Sequence, residues 1–307
     1  MKRFDISVVG ELNADLILYG LPQTLEPERE HLAADFSMTL GSSSAIFAHN
    51  LSLLGSRVGF TSCIGDDPLG KFCVGRLRES GVDVSEVKVL AGKTTGVTVI
   101  LPLAKQRRIL TYLGTTLDLQ FAHLDLNYLR SASHFHLSSF FLLRALRPRI
   151  PELFSQMKKS GLTTSLDTND DPEDLWADDV KSALNSVDIF LPNEREACKL
   201  AGTADVQSAL DVLSQLVPIV VIKCGPEGGL YIADWTDTGE CHNYDKVDAT
   251  NGRIYRVTYG MPKPFKGDIA KLTDAELIKL QLHANDWLVR QARRQLLASA
   301  CAELIKG

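Results

Sequence analysis

The first regular signal in the chain is a short apolar run closed by glycine, "DISVVG" from Asp5 to Gly10, which predicts a buried strand. In "GSSSAIFAHNLSLLG", Gly41 to Gly55, the period changes: Phe47, Leu51 and Leu54 recur at helical spacing, serines stand where a helix start takes caps, and glycine closes the segment. "RVGFTSCIG" predicts another strand. "DDPLGKFCVGRLRESG" predicts a helix with Asp67 as N-cap, Pro68 at the first helical position and Gly81 past its end. Further strands are predicted at "ASHFHLSS", "LTTSLDTN", "VDIFLPN" and "PIVVIKCG", with helices near 144–159, 175–184 and 194–214. This alternation predicts an α/β fold, with a mainly parallel sheet covered by helices on both faces and ligands bound beyond the carboxyl ends of the strands. Two segments break the rhythm. "LILYGLPQTLEPEREHLAADFSMTL" and "TTGVTVILPLAKQRRILTYLG" read as extended hairpins without a following helix, and together they predict a small β-lid from about 12–40 and 95–115.

Composition narrows the class. With 307 residues, 45% hydrophobic and 23% charged, the chain can bury one large core or two modest ones. The six cysteines show no CxxC spacing, so reduced, mostly buried thiols are expected. The apolar run after Lys2 and Arg3 is too short for a leader or a membrane span, which points to the cytoplasm and to no membrane partner. The net charge of −5 is uneven: ten Lys+Arg face five Asp+Glu beyond residue 250, whereas 23 face 33 before it. An acidic body argues against nucleic acid, because binding a phosphate backbone needs a basic face.

Candidate chemistry gathers at the predicted strand ends. Asn13 and Asp15 in "GELNADL" could hydrogen-bond a polyol, or simply form an Asx turn. The run Gly41-Ser42-Ser43-Ser44 offers backbone N–H groups and hydroxyls to a polar ligand, or N-caps a helix. "SLDTNDDPED" places Asp167, Asn169, Asp170 and Asp171 after a strand, some of them as caps for a helix announced by Pro172. In "PNERE", Asn193 and Glu196 make a capping box, yet an amide and a carboxylate there could also organise Mg²⁺ and water beside a polyphosphate. "VIKCGPEGG" sets Lys223, Gly225, Gly228 and Gly229 after a strand, as a nucleotide-approaching turn or a tight hairpin. His134 and His136 alternate on one strand face without a third ligand and read as structural.

The succession "GELNADL", "GSSSAIFAHNLSLLG", "GDDPLGKF", "GVDVS", "TTGVTVIL", "LDTNDDPED", "LPNERE" and "VIKCGPEGG" closely resembles the ribokinase/PfkB family of carbohydrate kinases over residues 1–250. The resemblance implies a three-layer ribokinase-like sandwich with a β-lid, and transfer of the γ-phosphoryl group of ATP to a sugar hydroxyl with Mg²⁺ as cofactor. It implies that Asn13, Asp15, Gly41, Ser42 and Asn169 face the sugar, a small-molecule partner. Asn193 and Glu196 would serve Mg²⁺ (Glu196 through water) and the phosphates, with Lys223, Gly225 and Gly228 near the nucleotide. An exposed lid could pair with a second lid to form a homodimer.

This chain departs from the family pattern in three places. Ser42 stands where the family usually has a second glycine, and Ile46 where it has asparagine. Most consequentially, the family continues from a segment like "VDAT" into Gly-Ala-Gly-Asp, whose amides form an anion hole and whose aspartate is the general base. Here "VDAT" runs into "NGRI", and no Gly-Ala-Gly-Asp occurs in the chain. Loss of a general base costs roughly 10²–10⁴-fold, and loss of oxyanion donors about 10²–10³-fold more. Asp248, six residues early, is a poor substitute.

The segment after Thr250, residues 251–307, is similar to the junction of a propeller-type dehydrogenase blade with HEAT-like repeats. "RIYRVTY" alternates like a strand, "LTDAELIKLQL" starts with a threonine cap, and "NDWLVRQARRQLLASACAELI" is a basic amphipathic helix. The expectations are therefore an impaired PfkB-type kinase, or else a catalytically silent sugar- or nucleotide-binding protein or a chimeric reading frame.

Overall fold

The computed structural model describes residues 2–103, 106–176, 179–224, 229–234, 253–256, 271–282, 292–293 and 296. The chain divides into two compact units, residues 1–257 and 258–307. In chain order the first unit opens with β1 (Phe4–Val9), β2 (Asn13–Tyr19), β3 (Asp35–Leu40), α1 (Ser43–Leu53), β4 (Val58–Gly65), α2 (Pro68–Glu79), β5 (Asp83–Leu90), β6 (Gly96–Leu103) and β7 (Gln106–Tyr112). It continues with α3 (Leu126–Arg130), β8 (Ala132–Ser138), α4 (Ile150–Lys159), β9 (Thr163–Asp167), α5 (Asp179–Leu184), β10 (Ile189–Phe190), α6 (Glu194–Ala201), α7 (Val206–Leu213) and β11 (Ile219–Val220). The short strands β12 (Lys223–Cys224), β13 (Gly229–Asp234) and β14 (Arg253–Arg256) close it.

The predicted parallel sheet is present. Seven strands lie in the order β11-β10-β9-β8-β1-β4-β5, all paired in parallel. Both faces are covered because neighbouring β1 residues point to opposite sides. Val8 joins a cluster with Phe60, Ala45, Ala48, Cys73 and Leu77 under α1 and α2. Val9 joins Phe135, Leu137, Leu153, Phe154, Val180 and Phe190 under α4 and α5. Each fully buried Leu or Phe of this kind contributes roughly 1.5–3 kcal/mol by leaving water. Chain growth reverses at β1, which leads through β2 and β3 to β4 on one side and pairs with β8 on the other. The loops after β1, β8 and β9 are thereby neighbours, at the place where such sheets bind ligands.

The two extended segments form the predicted second sheet, in the order β3-β2-β6-β7: two antiparallel pairs joined by parallel β2–β6 pairing. The register sorts its faces. Asn13, Asp15, Thr39, Thr98 and Thr111 fall on one side, and Leu16, Leu18, Phe36, Met38, Val99, Leu110 and Tyr112 on the other.

Several local expectations need correction. The helix expected over 194–214 is two helices, because Gly202 takes a left-handed conformation (φ 68°) and closes α6. The helix expected from residue 144 begins only after a 3₁₀ turn at Arg147–Arg149. The helix announced by Pro172 and expected from residue 175 is described only from Asp179 (α5), because the Asp171 carboxylate captures the N–H groups of Glu173, Leu175 and Trp176 and fixes a loop ahead of it. Asp67 does cap α2, accepting from Gly70 N at 2.8 Å.

Arg253–Arg256 is the strand its alternation predicts, antiparallel to β13 within the first unit. In the second unit, Thr273 caps α8 (Asp274–Lys279) in a capping box with Glu276, again as predicted. Most of the amphipathic segment after Asn285 lies outside the described residues, as do Asp248, Thr250 and Gly252. No helix among the described residues is long and apolar enough to cross a membrane.

Candidate active site

The site is built on a buried carboxylate that sequence reasoning missed. Glu11 follows β1 and is only 3% exposed. Its Oε1 accepts from Ser43 N (2.9 Å), Ser43 Oγ (3.1 Å) and Ser139 Oγ (2.6 Å), and its Oε2 from Ser44 Oγ (2.7 Å). Ser138 Oγ lies 2.6 Å from Ser44 Oγ. Asn169 Nδ2 in turn donates to Ser43 Oγ at 2.5 Å and to Ser139 Oγ at 2.6 Å. The ends of β1, β8 and β9 and the start of α1 are thus tied into one polar cluster. The backbone follows suit: Ser42, Ser139 and Asn169 have φ of 69°, 59° and 55°. Non-glycine residues hold such conformations only where surrounding contacts over-determine them.

The serine run does not cap α1 as expected. Ser42 makes no capping hydrogen bond. Its hydroxyl instead donates to Asn13 Oδ1 and accepts from Asn13 N at 2.8 Å, and Asn13 Nδ2 reaches Thr98 Oγ1 at 3.3 Å. The exposed amide at the helix start goes to Glu11. Gly41 is required by close approach, since a Cβ there would sit 2.1 Å from Asp15 Oδ1 and 3.0 Å from Asn13 O. Asp15 is half-buried on the polar face of the lid, and burial raises its pKa above the usual carboxylate value. Asn13, Asp15, Gly41, Ser42 and Asn169 are therefore linked through the segment 41–43.

A second group adjoins the first. Asp167 ends β9, its backbone carbonyl accepts from Ser139 N at 2.9 Å, and its carboxylate binds Lys223 Nζ at 2.6 Å. Lys223 forms a parallel bridge with Asn193. The capping box is fully formed: Glu196 N donates to Asn193 Oδ1 at 2.9 Å, while Asn193 N and Nδ2 donate to Glu196 at 2.9 and 2.5 Å. Burial raises the pKa of Glu196, as does nearby Asp167, against the lowering effect of the Asn193 amide and Lys223. Lys223 and Cys224 pair antiparallel with Leu230 and Gly229 on either side of the glycine-rich stretch. Gly225 and Gly228 lie outside the described residues. Of the remaining acidic candidates, Asp170 pairs with Arg195 and Asp171 holds its loop.

Other features carry structure. His134 and His136 both contact Ser165 Oγ at 2.7 Å, and His136 packs 4.1 Å from the Phe47 ring. Burial pushes the His136 pKa down to about 3. Among the described residues no cluster of three or more His, Cys, Asp or Glu could hold a metal ion. Cys63, Cys73 and Cys198 are free thiols, and burial pushes the first two up to about 12, far from reactive thiolates. A cavity of about 320 Å³ is lined by Phe141, Arg144, Arg147, Asp171, Glu173 and Asp179, but its arginines are paired with Glu173 and Asp179.

A parallel sheet bounded by helices, a small lid with a polar face and a hydroxyl-rich cluster at the strand ends define a ribokinase-like α/β protein. Comparison with known proteins makes this particular. The chain belongs to the pfkB family of carbohydrate kinases, whose sequence model matches residues 3–251. It is 28% identical over 235 residues to a ribokinase of Haemophilus influenzae, covering 74% of each chain. It is 29% identical over 259 residues to an aminoimidazole riboside kinase of Salmonella typhimurium, covering 79% of this chain and 75% of that one. The fold matches that of an Arabidopsis thaliana ribokinase solved with ribose and ATP, with a TM-score of 0.62 at 22% identity, over 75% of this chain and 74% of that one. The dehydrogenase resemblance of residues 251–307 gains no support from these matches.

Proposed function

We propose that this protein is an ATP-dependent carbohydrate kinase of the PfkB type whose phosphoryl-transfer step is impaired. The observation that carries the reading is the polar chain from Asn13 through Ser42 and Ser43 to Asn169, Asp167 and Lys223, with Asp15 in close approach to Gly41 at its start. In this reading Asn13, Asp15, Gly41, Ser42 and Asn169 face the sugar. Lys223, Asn193, Glu196, Gly225 and Gly228 face the nucleotide. Both oxygens of Glu196 accept from Asn193, and the group is 3% exposed. Asn193 and Glu196 are the residues that would serve Mg²⁺, Glu196 through water rather than by direct contact. When bound there, the nucleotide would supply the phosphoryl group and the metal would offset its charge. The protein's own residues bind and orient: hydroxyls and amides at the strand ends receive the sugar, and Lys223, released from Asp167, meets phosphate.

Impairment follows from the missing Gly-Ala-Gly-Asp, since phosphoryl transfer depends on positioning and on a group that aligns the nucleophile. The same absence favours a second reading, a silent sugar- or nucleotide-binding protein, and leaves a chimeric reading frame as a third. The apolar lid face, with Phe36 57% and Tyr112 57% exposed, suits pairing with a second lid in a homodimer. We place the protein in the cytoplasm, where ATP is available. The test is ATP consumption against ketoses, hexoses and ribosides, with calorimetry of the same sugars and ATP. Slow turnover of one sugar supports the kinase; binding without turnover supports the silent protein; absence of both sinks both readings.

A further inference from the structure

Asn169 has two possible amide orientations, and the network around it selects one. We propose that Glu11 is a positioning residue, fixing the Asn169 amide so that its nitrogen is spent inside the protein and its oxygen is left to accept from a ligand hydroxyl. This rests on the reading of Asn169 as a sugar-facing residue.

Proton direction selects the orientation. Ser43 Oγ and Ser139 Oγ each have a single proton, and both donate it to Glu11 Oε1, at 3.1 and 2.6 Å. The two hydroxyls lie 3.0 Å apart, each presenting lone pairs with no proton left to share. Asn169 Nδ2 has two N–H groups and reaches both oxygens, at 2.5 and 2.6 Å. The reverse orientation would set the amide oxygen against two acceptors. Oδ1 is thus directed away from the serines. It has no hydrogen-bond partner among the described residues, and it is not among their buried unsatisfied atoms. Water or a ligand can reach it. A carboxyl group at 3% exposure, with four donors converging on it, is otherwise a costly way to end a strand. Its direct contacts are serines, not ligand, so its effect on binding passes through Asn169.

The geometry also says which substitution matters. Glu11→Gln can keep a carbonyl oxygen at the Oε1 position and place its NH₂ against Ser44, where the hydroxyl turns to accept, so Gln should preserve the Asn169 orientation. Glu11→Met keeps the length and removes every acceptor; Ser43 and Ser139 are then free to donate toward Asn169, and the amide loses its bias.

Side-chain amide NMR of asparagine-labelled full-length protein reads this without ligand. The wild type and Glu11→Gln should show two well-separated Asn169 amide protons with slow solvent exchange. Glu11→Met should show fast exchange and altered shifts. If Glu11→Met does not fold, Ser139→Ala tests the same link, because it removes one of the two acceptors and should expose one Asn169 proton to exchange. Unchanged Asn169 resonances in whichever of these variants folds overturn the proposal. Calorimetry with D-ribose adds the functional arm. Glu11→Met should weaken binding about tenfold, roughly the worth of one well-made hydrogen bond, and should add nothing in an Asn169→Ala background. If Asn169→Ala weakens binding but Glu11→Met does not, Glu11 is no positioning residue although the site stands. If Asn169→Ala changes nothing, or the wild type binds no D-ribose, the reading of Asn169 as facing this sugar falls and the amide spectrum alone decides the role of Glu11.

Discussion

Ser42 is the residue at which backbone strain and side-chain bonding can be separated by measurement. Its φ of 69° and ψ of 128° lie where an L side chain is disfavoured by about 1–2 kcal/mol. Against this, its hydroxyl makes two hydrogen bonds to Asn13, each worth about 1 kcal/mol net. Ser42→Gly removes both terms, so the gain and the loss nearly cancel, and stability should change by less than about 1 kcal/mol. Ser42→Ala loses the hydrogen bonds and keeps the strain, which should cost about 1–3 kcal/mol. Capping preference does not enter, because Ser42 makes no capping bond. Urea unfolding of the three proteins should therefore place glycine above alanine by about 1–2 kcal/mol, the opposite of their order in a helix interior. Alanine equal to or more stable than glycine would refute the strain argument. The same glycine variant releases Asn13 Oδ1, so its sugar affinity reports whether Ser42 withholds that oxygen from ligand.

Gly41→Ala should lower stability by about 1–3 kcal/mol, because the new methyl meets Asp15 Oδ1 at 2.1 Å, and Asp15→Ala in the same chain should recover part of that loss in urea unfolding. Acid should destabilise the first unit through His136: its pKa is about 3 when folded and 6.5 when unfolded, so only the unfolded chain takes the proton between those values. Stability is then fully present above pH 6.5 and lost as pH falls toward 3, by about 2 kcal/mol at pH 5, while His136→Gln should flatten the unfolding profile across that range.

Much of the fold was legible because its signals are local. The glycine-closed apolar run at Val8 and Val9, and the Asp67-Pro68 helix start, depend on neighbours in sequence and appear as read. The helix expected from residue 175 starts late, at Asp179, because Asp171, which looked like its cap, reaches as far as Trp176 and closes a loop first. The site was legible in part. Asn13, Asp15, Gly41, Ser42 and Asn169 are joined in space, but Glu11 was invisible. A glutamate after "VVG" reads as a solvated strand end, and its burial depends on hydroxyls from positions 43, 44 and 139 that only the β1–β8 pairing brings together. Ser42 carried a signal in the family's glycine, which marks a positive φ, yet the serine run invited a capping reading.

The carboxylates near the strand ends are already engaged within the protein. Glu11 is occupied by serines, Glu196 by Asn193 and Asp167 by Lys223. Asp15 has no hydrogen-bond partner among the described residues, but it stands on the lid beside Gly41 at one end of the cluster, while Lys223 and Asn193 lie beyond Asp167 at the other. In the proposed reading the groups that would bind a polyol are assembled and held by strained backbone, whereas the group that would align its hydroxyl for transfer belongs to a motif this chain lacks. Interactions made equally with ground state and transition state set affinity, and the missing ones would act on the transition state. The defect should therefore fall on kcat, by roughly 10²–10⁴-fold for a lost base, with sugar affinity intact.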